Sequence, residues 1–154
     1  MRILLIVTVT LCCAAIALWV RTQSESGQEL ARDRLRDQLC SMAFAGTHFE
    51  IIQRHSSAFV RIDDTVIATS HFGEPWVFKV ELPQVEFLEI LELMKNIGVK
   101  YAGVYRSEGI SGVKLRWGNR GSRVLMWSSI NHMPVGEVRE GPWEIGEGWF
   151  EGRE

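Results

Sequence analysis

The chain is poor in the residues that staple or punctuate a small domain. Of 154 residues only three are cysteine and four are proline. Cys12 and Cys13 fall inside the first apolar run, which leaves Cys40 alone. No disulfide can therefore staple the rest of the chain to itself. Cys40 reads as a small buried hydrophobe, with an intermolecular disulfide as the alternative on an exported domain. An excess of one charge is missing too. The 17 Lys and Arg nearly balance the 19 Asp and Glu, for a net charge of -2 and an isoelectric point near 6.1, so nucleic acid is not an expected partner.

Motifs with chemistry attached are equally scarce. Gly109-Ile110-Ser111-Gly112 and Gly118-Asn119-Arg120-Gly121 match neither phosphate-loop pattern and read as turns. His48, His55, His71 and His132 lie seven, sixteen and sixty-one residues apart, without the spacing that puts two imidazoles on one helix turn. Ser56, Ser57, Ser70, His55, His71, Asp63 and Asp64 supply the letters of a hydrolytic triad, but no G-x-S-x-G elbow presents a nucleophile. No catalytic residue, metal ligand or cofactor is assigned from spacing.

What is abundant is hydrophobicity at the N-terminus. Residues 3–20 carry no charge and nothing more polar than two threonines and two cysteines. An eighteen-residue helix rises about 27 Å, close to the roughly 30 Å of bilayer hydrocarbon. Two readings follow, and both export the remainder. A retained signal-anchor is favoured by Trp19, placed as an interfacial aromatic, and by an apolar run that continues past Ala17. A cleaved signal peptide is favoured by Arg2, the apolar stretch after it, and the small-x-small set Ala15-Ile16-Ala17. Arg21, Arg32, Arg34 and Arg36 follow the segment, and a positive-inside count alone would keep the domain inside. The short N-terminal flank argues for the opposite orientation. The expected localisation is a single-pass membrane protein with its C-terminal domain on the exported side, or a secreted or periplasmic protein after cleavage.

Behind residues 1–21, residues 22–27 read as a polar linker, and Ser26 with Glu29 forms a capping box that opens a juxtamembrane amphipathic helix over 28–45. Its stripe is narrow: Leu30, Leu35, Leu39 and Met42. From residue 47 the period changes to two. Strands are predicted over 49–53, 58–62, 65–69, 76–82, 99–106, 112–117 and 123–128, with Asp63-Asp64 turning a hairpin. The strongest helix covers about 84–97, opened by Pro83 and closed by Gly98, with Phe87, Ile90, Leu91, Met94 and Ile97 on its apolar face. No internal repeat is visible in this part. The fold class implied for 46–130 is α+β, a mainly antiparallel sheet packed by that one helix.

Residues 131–154 differ. They are rich in Gly, Trp and Glu, and they read as an arm whose Trp143, Trp149 and Phe150 dock onto a surface, either the chain's own sheet or a partner. A second candidate interface is basic: Arg106, Lys114, Arg116, Arg120 and Arg123, suited to anionic lipid or an acidic protein. The functional reading is a membrane-anchored or exported binding or assembly module, more readily non-catalytic than an enzyme. The alternative is a small exported hydrolase or thiol enzyme drawing on His55, His71, Asp63 or Cys40; at least two of these in one concave pocket would favour it, and dispersed positions would favour the binding module. A third class, an envelope stalk, requires helix one to oligomerise through its leucine stripe.

Overall fold

The alternation that begins at residue 47 becomes an antiparallel meander in which each of the first three strands pairs with the next. In the computed structural model, which describes residues 25–42, 46–71, 74–80, 84–107, 110–118, 122–130 and 140–153, the chain divides into two compact units, Met1–Arg34 and Leu35–Glu154. Of the first, the described residues 25–34 are helical. That helix, α1, continues to residue 41.

In the second unit β1 (His48–Gln53), β2 (Ser57–Ile62) and β3 (Thr65–His71) pair in order. Asp63 and Asp64 take φ of 43° and 68°, the left-handed pair that a two-residue hairpin turn needs to follow strand twist. The Asp63 carboxylate also reaches back to the start of β1. It accepts from the Thr47 amide at 3.0 Å, the Thr47 hydroxyl at 2.9 Å and the His48 amide at 2.8 Å. Gly46 lies against that carboxylate, where a β-carbon would collide with it.

In the segment with the cleanest alternation, predicted as a strand over 76–82, the described residues 76–80 form only the two-residue β4 (Val77–Phe78). Trp76 and Phe78 turn instead to meet the Phe87 ring edge-on at 5.0 and 5.5 Å, so they pack α2 rather than continue a ladder. Helix α2 (Gln84–Asn96) buries Phe87, Ile90 and Met94. It ends in a Schellman pair: the Val99 amide reaches the Met94 carbonyl, and the amide of Gly98, at φ 74°, reaches that of Lys95.

β5 (Tyr101–Ser107), β6 (Ile110–Arg116) and β7 (Arg123–Ser128) then build a second meander, and β5 pairs antiparallel with β1. Residues 140–153, read from sequence as part of an arm, form β8 (Glu140–Gly146) and β9 (Trp149–Arg153), with β9 against β7. Their turn, Glu147-Gly148, again has both φ positive. The sheet runs β4-β3-β2-β1-β5-β6-β7-β9-β8 and is antiparallel at every pairing.

The domain is thus α+β, one large antiparallel sheet with two helices. The order helix-strand-strand-strand occurs twice, as α1-β1-β2-β3 and α2-β5-β6-β7, with the first strands of the two sets paired at the centre. Of the two, α1 was not expected in the core. From Leu35 onward α1 buries Leu35 and Leu39, with Met42 just past its end, beside Phe87, Ile90 and Met94, over Phe49, Ile51, Val104, Leu115 and Trp149 of the sheet. Those positions of the leucine stripe are consumed within the chain, whereas Leu30 is 72% exposed.

Each helix end is tied down by the second meander. The Arg106 guanidinium donates to the carbonyls of Cys40 and Met42 at 2.7 and 2.8 Å, and the Trp117 indole to that of Ile97 at 2.7 Å. The apolar segment 3–20 lies outside the described residues. Among those residues no helix is long and apolar enough to cross a membrane.

The bonds from the His48 amide, the Thr47 hydroxyl and the Thr47 amide hold the Asp63 carboxyl below the usual carboxylate range. A lowered folded pKa means the stabilisation is complete above the unfolded value of about 3.9 and is lost as pH falls through the lower folded one. Asp63→Asn should therefore lower the melting temperature at neutral pH, with the gap closing below about pH 4. A gap of constant size across that range would show that charge on Asp63 does not matter.

Candidate functional site

Strand alternation divides the side chains between two faces, and the division separates residues that the sequence grouped. On the face away from the helices stand His48, Glu50 and Ile52 of β1, Phe59 and Arg61 of β2, Tyr101 and Tyr105 of β5, and Lys114 and Arg116 of β6. Arg106 and Arg123 point to the helix face. Arg106 caps α1, while Arg123 pairs with Glu151 at 2.8 Å and has its guanidinium 5.2 Å from the Trp117 ring centre. The predicted basic surface is therefore split. Lys114 and Arg116 share a face, Arg106 and Arg123 are occupied on the other, and Arg120 lies outside the described residues.

At the centre of the open face is a carboxylate that the sequence did not single out. Glu50 is only 5% exposed, and its register partners are Arg61 on one side and Gly103 on the other. The Arg61 guanidinium forms an ion pair with it, and the Tyr101 hydroxyl hydrogen-bonds to it. His48 Nε2 is 3.9 Å from the same carboxylate. Glycine makes this possible. A β-carbon on Gly103 would meet the Tyr101 hydroxyl, and one on Gly112 would meet the Tyr105 ring, so both phenols lie down across the sheet. Arg116 covers the Tyr101 ring at 4.9 Å. Burial, and then the negative charge of Glu50, push the Tyr101 hydroxyl well above the ordinary tyrosine range. The phenol is a proton donor here and not a base.

A concave site lies at one end of β1, β2 and β3. A pocket of about 200 Å³ is lined by Gln53, Arg54, His55, Ser56, Ser57, Ala58, Ser70 and His71. The β1–β2 turn presents His55 and Ser56, closed by the Arg54 amide donating to the Ser57 carbonyl at 2.7 Å, and His71 is directly across the ladder from Ser57. Two of the four residues named for an enzyme thus line one pocket, the outcome that weighs toward the enzyme. The other two are elsewhere. Asp63 follows the far end of β2, a six-residue strand that spans about 20 Å, too far to orient either imidazole. Cys40 is on α1, where burial raises its thiol pKa despite Arg106 and Arg36, the reverse of what a thiolate nucleophile needs.

The aromatic candidates also separate. Trp149 is fully buried against the helices, Phe150 is buried on the opposite face beside Met126, and Trp143 stays 58% exposed on β8. Among the described residues no group of three or more His, Cys, Asp or Glu could hold a metal ion. No family model matches the chain, and no curated protein or solved structure matches it.

With only two tyrosines in the chain, an alkaline absorbance titration can resolve Tyr101. Its neutral form is favoured by folding, so that contribution is complete below the unfolded pKa of about 10 and is lost as pH rises beyond it. Glu50→Gln should bring the Tyr101 transition down toward the ordinary value. Glu50→Ala should in addition cost about 2 kcal/mol of stability, because Arg61 is left half-buried without its counter-charge. An unchanged tyrosine titration in Glu50→Gln would overturn the assigned contact.

Proposed function

We propose that this chain is a non-catalytic binding module, tethered to or exported across a membrane by residues 3–20, and that it holds a protein partner through the exposed apolar side chains of β8. The observation that carries the reading is the contrast along the β8–β9 hairpin. Trp149 and Phe150 complete the chain's own packing, while Trp143 and Ile145, 58% and 43% exposed, stand on the terminal strand of the sheet. Tryptophan left wet on a surface is the residue type that most often anchors an interface.

The edge itself is a poor template for adding another strand. Pro142 has no amide to donate, and the register slips on either side of the Trp143–Glu144 stretch. Side chains, rather than a ladder, are the means of contact. Exposed Glu144 lies between the two apolar residues in the chain and exposed Glu147 follows them, so an anionic bilayer is repelled and a protein with an apolar pocket and basic rim is favoured.

Two measurements test the two halves of this proposal. Membrane fractionation with a mass of the mature N-terminus should find the chain in the membrane with residues 3–20 retained. A soluble product beginning shortly after Ala17 would replace the tether with a cleaved signal. For the interface, a photoreactive phenylalanine analogue placed at position 143 in intact cells should give one discrete adduct, suppressed by Ile145→Lys and not seen with the same analogue at Lys95. An adduct of twice the chain mass would make the occupant a second copy, and adducts at both positions or neither would overturn the site. Against the partner once isolated, Trp143→Ala should weaken binding about 30-fold, or about 2 kcal/mol.

A further inference from the structure

We infer that the pocket at the β1–β2 turn is an oxyanion site, built for a phosphate group. Eight residues line it, and none is a carboxylate. Instead it collects a guanidinium, two imidazoles, the hydroxyls of Ser56 and Ser57, and the Gln53 amide, a set dominated by donors. Arg54 lies 5.1 Å from the Phe59 ring centre and makes no ion pair with any described acid, so its charge is held in place by an aromatic face that leaves its N–H fork available. Ser70 is the exception among the hydroxyls, since it is already donating to the Glu74 carbonyl at 3.0 Å.

Size and ligand chemistry narrow the occupant. About 200 Å³ is below the roughly 300 to 1,000 Å³ typical of organic-ligand pockets but ample for a tetrahedral anion with several waters at about 30 Å³ each. A metal ion is the rival, because imidazoles are its usual ligands. Two histidines without a third cysteine, histidine or carboxylate do not complete a zinc site, and the neighbouring guanidinium would repel a cation. An anion matches a lining rich in donors. The site is at the opposite end of the first meander from the Asp63 turn and does not involve β8, so it stands or fails apart from the interface proposed above.

The test uses the full chain in a neutral detergent and follows backbone amide shifts during titration with sodium phosphate at constant ionic strength, held with chloride. Residues 53–58 and 70–71 should shift saturably. Arg54→Gln and His71→Asn should each weaken binding at least tenfold with melting temperatures unchanged, whereas Arg153→Gln, on β9, should leave it intact. Glycerol 3-phosphate and vesicles with or without phosphatidic acid separate a free ion, a phosphate ester and a lipid headgroup as the source. Tighter binding of one of them identifies the physiological class. Shifts no larger than chloride produces, shifts that persist in both variants, or saturable binding of zinc in place of phosphate would each overturn the proposal.

Discussion

Strands β1 and β5 are separated by three strands and a helix in sequence, yet they lie side by side, with Phe49 opposite Val104 and Ile51 opposite Ala102. That single pairing joins the two meanders into one sheet. It also sets which face of each strand looks at the helices, because a shift of one residue would turn Phe49 and Ile51 outward and Glu50 inward. Glu50 guards against that slip from the other side. Its carboxylate is matched by Arg61 and Tyr101 only in the observed register, and an unpaired carboxylate in the core would cost several kcal/mol. The apolar and the ionic contacts thus specify the same alignment.

The same pairing brings each helix to strands that close it. Arg106 on β5 takes the last carbonyls of α1, and Trp117 beyond β6 takes one from α2, so the ends of both helices depend on the second meander. This is why a cation expected at an interface serves the interior: Arg106 satisfies acceptors that a helix C-terminus leaves open. The open face is organised differently. Two glycines let two phenols lie across the sheet, and the resulting surface of Tyr101, Tyr105, Lys114 and Arg116 surrounds a neutralised centre. The His55–His71 pocket and the exposed Trp143 and Ile145 lie instead at the margins, the one at an end of the first meander and the others on the last strand.

Most strands and the second helix were legible because their periods were clean. The predictions over 49–53, 58–62 and 123–128 differ from β1, β2 and β7 by at most one residue at either end, and Gly98 closes α2 as its freedom at positive φ suggested. Three features were not legible. Residues 76–82 alternate well, but Trp76 and Phe78 find more apolar contact on Phe87 than a ladder at the sheet margin offers. β9 buries neighbouring Trp149 and Phe150 on opposite faces, so it has no alternation to detect, and Glu147-Gly148 is not one of the usual turn pairs. The pocket joins residues 53–58 to 70–71, and the only sequence signal was the recurrence of Ser and His on both sides of a predicted hairpin.

By itself the sequence determined an apolar N-terminal segment, a near-neutral domain without internal disulfides, and the period of nearly every element. These are properties of neighbouring residues, and local sterics and hydrophobic spacing are enough to establish them. Only the tertiary structure decided that α1 from Leu35 onward belongs to the core, that Arg106 and Arg123 turn away from Lys114 and Arg116, that Glu50 is buried, and that His55 and His71 line one pocket. Each of those depends on the pairing of distant strands, which assigns every side chain to one face or the other.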